Sequence, residues 1–139
     1  MTYAVSPYLT CGGLCYFPRM LSKIRLVQTG ELPEHYIRRC YDLWLADFLE
    51  IDYEALIRYV AAADPTDEQA LAWCYEKGRQ PNAMQIETWN AFATKRGWND
   101  ERTAGLQAKL REEGLAGLGI QTNFDHIEAK EGRPLKGMR

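Results

Sequence analysis

The chain has 139 residues, 46% of them hydrophobic and 26% charged, an ordinary composition for a soluble globular protein long enough to bury a core. A formal net charge of -2 excludes the strongly basic surface expected of a nucleic-acid binder, and no stretch approaches the roughly 18 apolar residues of a membrane span. The first residues carry neither a basic leader nor a long apolar run, so the expected setting is cytoplasmic, with Cys11, Cys15, Cys40 and Cys74 as free thiols.

In chain order, residues 1–17 read as an irregular arm broken by Pro7 and the Gly12-Gly13 pair. A helix is predicted from Pro18 to Thr29, closed by Gly30, with Met20, Ile24 and Val27 as its apolar stripe and Leu21 widening it. Arg19, Lys23 and Arg25 then fall away from the centre of that stripe. Glu34 to Tyr41 is a mixed, partly helical connection. Asp42 is the expected N-cap of a central helix whose Leu43–Leu49 run is apolar on nearly every side, the surface on which the first helix should pack.

Asp52 should start the next helix, with Tyr53, Leu56, Ile57 and Val60 on one face and Asp64-Pro65 as its stop. Thr66 and Gln69 form a capping box for a helix ending at Gly78. Asn82 caps another, with Ile86, Trp89 and Ala93 inward and Gly97 at its end; Asn99 or Asp100 begins the next, with Leu106 and Leu110 inward up to Gly114. A short helix over Asn123–Lys130 completes the set. The expected fold is therefore all-α, a compact bundle of six or seven short helices without a sheet, in a single domain spanning 1–139 with a frayed tail at 133–139.

Charge is unevenly spread. Residues 1–40 hold five Lys and Arg against Glu31 and Glu34, residues 41–76 hold nine acids against Arg58 alone, and the remainder is mildly basic. Two basic ends around an acidic middle can pair inside the fold or across a homodimer. Arg19 and Lys23, one helical turn apart near a helix start, with His35 and Tyr36 of the 34–41 connection, are the candidate anion-binding residues. Asp47, an acid inside an apolar helix, requires a partner if buried, and Arg19 or Lys23 is the expected one.

Metal and thiol chemistry have little support. Cys11-x-x-x-Cys15 is half a zinc site without a second knuckle, and a Cys40 nucleophile activated by His35 would lie in the mixed 34–41 connection. Trp44, Trp73 and Trp89 sit at helical spacing among apolar neighbours, which makes them core residues, and Trp98 should cover a helix end. No metal or cofactor is expected.

Several segments together carry a resemblance. They are Gly12-Gly13 with Pro18-Arg19-Met20 and Lys23-Ile24-Arg25, Asp47-Phe48-Leu49-Glu50-Ile51-Asp52 with Glu54-Ala55-Leu56, Thr66-Asp67-Glu68, Trp89-Asn90-Ala91 with Arg96-Gly97, and Phe124-Asp125 with Glu131-Gly132-Arg133. In this order and spacing they resemble the bacterial domain-of-unknown-function family 5069. The resemblance implies a stand-alone helical domain and no particular activity. The leading reading is a non-enzymatic binding or interaction domain that self-associates. The alternative is a protein or enzyme holding a small anionic ligand through Arg19, Lys23, His35, Tyr36 and Asp47.

Overall fold

A computed structural model describes residues 2–137; Met1 and the last two residues of the tail expected to fray lie outside them. Seven α-helices dominate the described residues, so the helical class expected from the sequence is the one found. The chain divides into two units, residues 1–89 and 90–139.

The first unit opens with a minimal antiparallel ladder, β1 (Thr10–Cys11) against β2 (Leu14–Cys15). No sheet was expected there, because two-residue strands are too short to show alternation in a sequence. Gly12 and Gly13 make the turn at φ 57 and 82, a left-handed backbone that favours glycine. Helices α1 (Phe17–Gln28), α2 (Cys40–Leu49), α3 (Tyr53–Ala63) and α4 (Asp67–Lys77) follow, with a 3-10 turn at Glu34–Tyr36 inside the connection read as partly helical.

Local chemistry explains the ends. Asp52 accepts the Glu54 amide at the start of α3, whose stop falls at Asp64 in left-handed backbone just before Pro65. Thr66 and Gln69 bond each other's amides at 3.0 and 3.2 Å, closing the capping box of α4. Asn82 and Gln85 do the same ahead of α5 (Ala83–Lys95).

Phe17, Met20, Leu21, Ile24, Leu45, Leu49, Leu56 and Cys74 are fully enclosed and form the centre of the first unit. Two expectations are corrected here. First, α1 lies closest to α3 and to the β1 strand rather than to α2. Second, α2 is one-sided, with Leu45, Ala46 and Leu49 inward while Leu43 is 43% exposed and Asp47 faces out.

In the second unit, α6 (Thr103–Glu112) packs Leu106 and Leu110 on Ile120, flanked by Leu115 and Ala129, and α7 covers Asn123–Lys130 as read from the sequence. The start of α6 is three residues later than Asp100. That carboxylate accepts the Gly97 and Arg102 amides, organising a turn instead of capping a helix. Within the tail, the Lys136 and Gly137 amides donate to the buried Asp125 carboxylate, each at 2.9 Å.

His126 on α7 meets Glu113, the residue capping α6, at 2.5 Å, and this bond holds the Glu113 carboxyl below its ordinary range. A carboxyl with a depressed folded value adds stability above its unfolded value, and that stability is lost as pH falls through the folded one. Glu113→Gln should therefore lower stability near neutral pH by at most about 1 kcal/mol, since the carboxylate stands at the surface, where solvent screens the pair. The deficit should fade below roughly pH 4. Thermal melts of both proteins across that range check it, and a deficit independent of pH would overturn it.

A buried polar centre between α1 and α2

The most concentrated chemistry in the first unit lies where α1 begins. Tyr16, the residue before α1, stands at φ 71, a left-handed conformation rarely taken by an aromatic residue. Its amide donates to the Pro7 and Leu9 carbonyls, and the neighbouring Cys15 carbonyl accepts the Trp89 indole N–H at 3.0 Å. Backbone so anchored on both sides directs the phenol inward, where its ring lies 5.1 Å from Tyr41.

Lys23, about two turns along α1, is 4% exposed, and Asp42, in the first turn of α2, is 0% exposed. Lys23 Nζ donates to Asp42 Oδ2 at 2.9 Å and to Tyr16 Oη at 3.0 Å, while Tyr16 Oη donates to Asp42 Oδ1 at 2.8 Å. The three groups close a ring. Asp42 Oδ2 also accepts the Arg39 amide at 3.0 Å, so the acid caps α2 from inside the first turn, with Arg39 rather than Asp42 as the N-cap residue.

Burial dominates the electrostatics. It lowers the Lys23 ammonium from its ordinary value, against the opposing pull of Asp42. Burial likewise raises the Tyr16 phenol well above its ordinary value, and the Asp42 carboxylate adds to that. Tyr53, at the start of α3, is raised for the same two reasons, and its hydroxyl is buried without a hydrogen-bond partner among the described residues.

No described hydrogen bond or ion pair links Arg19, Lys23 and Asp47, three of the five residues proposed from the sequence. Lys23 is in the ring. Arg19 is buried and donates to the Ala4 and Val5 carbonyls, tying the N-terminal arm along α1. Both basic residues were expected away from the buried stripe; their positions beside it place the stems inside, and polar partners at their tips make that burial tolerable. His35 and Tyr36 lie ring against ring in the 3-10 turn, tilted by 32° with centroids 4.7 Å apart. Asp47 is exposed, so the buried acid that meets the α1 lysine is Asp42, five residues earlier. The sequence reading gave Tyr16 no role, placed Tyr53 only on the apolar face of its helix, and saw in Asp42 only a cap.

The cysteines are separated as well. The ladder pairs Thr10 with Cys15 and Cys11 with Leu14, which puts Cys11 and Cys15 on opposite faces of the hairpin. Burial pushes the Cys15 and Cys74 thiols up to about 12, away from thiolate chemistry, and Cys40 is exposed at the start of α2. Among the described residues, no group of three or more His, Cys, Asp or Glu side chains is placed to hold a metal.

The chain is mostly helical, and its first unit holds an internal ion pair. Residues 1–133 match the family described as Domain of unknown function (DUF5069), and the chain belongs to that family. No curated protein matches the chain. No helix among the described residues is long and apolar enough to cross a membrane.

Proposed function

We propose that this chain is a non-catalytic, self-associating interaction domain of the cytoplasm, and that its buried polar centre holds the fold together instead of receiving a ligand. One observation carries this reading: Lys23, Asp42 and Tyr16 satisfy one another in a closed ring with almost no exposure. A cation meant for an outside anion keeps a donor turned to solvent, whereas the Lys23 ammonium is enclosed and donates to Asp42 and Tyr16. The uneven charge of the sequence is also answered inside the chain. Arg25 pairs with Asp67 at 2.7 Å, Arg38 with Glu54 at 2.5 Å and Arg79 with Glu50 at 3.2 Å. Four free thiols fit a reducing compartment.

The test is thermal melting with inorganic phosphate, pyrophosphate and a dicarboxylate at millimolar concentration. The expected result is no saturable rise in Tm. A saturable rise that His35→Ala abolishes would overturn this reading in favour of an anion site made by Arg19, Lys23, His35, Tyr36 and Asp47.

A further inference from the structure

Helix α5 has two unlike faces. Trp89 and Ala93 are buried, at 4% and 0% exposure, while Met84, Glu87, Thr88, Ala91, Phe92 and Lys95 are all exposed. At 100° per residue the exposed set occupies one continuous outward face of the helix, with Met84, Ala91 and Lys95 near its centre line. Two large apolar side chains stand on it, Met84 at 69% and Phe92 at 43% exposure, and Trp98 follows just past the helix end at 46%. The Trp98 amide still donates to the Lys95 carbonyl, so the indole begins where the helix stops.

The order of residues along this face is self-complementary. Glu87 and Lys95 lie four residues to either side of Ala91, and neither pairs with a charge among the described residues. If two copies of α5 cross antiparallel about a two-fold axis at Ala91, Glu87 of each copy stands opposite Lys95 of the other, and Met84 reaches the end occupied by the other's Trp98. The small side chain at Ala91 lets the helices approach closely at the axis, and Phe92 flanks it. A two-fold interface demands this property, since a residue at one offset from the axis must complement the residue at the opposite offset. The same arrangement in parallel would set Glu87 against Glu87 and Lys95 against Lys95.

We propose that the outward face of α5 is the self-association surface of this protein, and that its occupant is a second copy of the same helix in antiparallel register. This rests on the self-association put forward above and names its surface. The two Glu87–Lys95 contacts set the register, and the apolar side chains supply the burial.

Charge exchange tests it with the intact chain. In sedimentation equilibrium the wild type should show a mass approaching twice 16.0 kDa. Glu87→Lys alone and Lys95→Glu alone should each weaken the dimer about ten-fold, because each puts like charges together twice, and the double exchange should restore it. Both positions are on the exposed surface of a formed helix, so the variants should keep the wild-type melting temperature of the monomer. A monomeric wild type at about 100 µM, a concentration well above a micromolar dissociation constant, would overturn the proposal. A dimer indifferent to either single exchange would also overturn it, while leaving self-association through another face standing.

Discussion

Replacing Asp42 by alanine should destabilise the protein by about 3–5 kcal/mol, the scale for stripping one member from a buried ion pair. Three losses coincide at that position. Lys23 is left as a charge with 4% exposure and no carboxylate, Tyr16 loses the acceptor of its hydroxyl, and the Arg39 amide loses the cap that starts α2. Since small domains are stable by only about 5–15 kcal/mol, urea melts should show a midpoint displaced by a large fraction of its value. The pH dependence has a definite sign. Burial already lowers Lys23 in the folded state, and removing Asp42 takes away the interaction that opposed this. A lysine depressed on folding makes the unfolded state bind more protons, so stability rises with pH between the folded value and the unfolded one. The deficit of Asp42→Ala should accordingly shrink as pH is raised towards about 10, beyond which the ionising phenol of unfolded Tyr16 works against folding.

A double-mutant cycle separates the pair from its parts. Lys23→Met with Asp42→Leu removes both charges together, and buried ion pairs replaced by apolar groups of similar volume are often neutral. The double variant should recover most of the stability lost by Asp42→Ala. If Asp42→Ala itself loses less than about 1 kcal/mol, the lysine has found its way to water and the ring is not what ties α1 to α2.

What was legible in the sequence follows a physical division. Local signals carried well: Asp52, the Thr66–Gln69 box and Asp64-Pro65 each act within a few residues of themselves, and the structure shows them acting as read. Periodicity carried the faces of α1 and α6, where Met20, Ile24, Leu106 and Leu110 are all enclosed. It could not carry partners. Lys23 and Asp42 stand 19 residues apart, and which acid of α2 reaches the lysine depends on how that helix is rotated, which places Asp42 inward and Asp47 out. The N-terminal pattern was ambiguous for a different reason, since two-residue strands offer no alternation to read. Tyr16 gave no sign of its role, because a left-handed backbone at an aromatic residue is imposed by surrounding contacts and not by its own preference.

Gly78 shows how far a local reading can understate a residue, and it supplies the second large expected effect. From the sequence it only closes α4. In the structure it sits against the end of α2, where orphan helix carbonyls need donors. The Arg79 amide donates to the Leu49 carbonyl at 3.0 Å, Arg79 Nε donates to the Phe48 carbonyl at 2.8 Å, and the guanidinium lies over the Phe48 ring. That docking requires two backbones to approach more closely than any side chain permits. A Cβ at Gly78 would overlap the Leu49 carbonyl oxygen and stand 2.8 Å from the Glu50 carbonyl oxygen. Both obstacles are main chain, so no rotamer change can relieve them. Gly78→Ala should therefore separate the ends of α2 and α4 and lose the Arg79 bonds, at a loss of about 3 kcal/mol or more. Arg79→Ala, which removes the bond to the Phe48 carbonyl, the ring contact and the half-exposed ion pair with Glu50 but spares the backbone approach, should lose distinctly less, about 1–2 kcal/mol. Denaturant melts of the two variants decide the matter: if Gly78→Ala is no worse than Arg79→Ala, the backbone approach can relax, and the helix ends are joined by the arginine side chain alone.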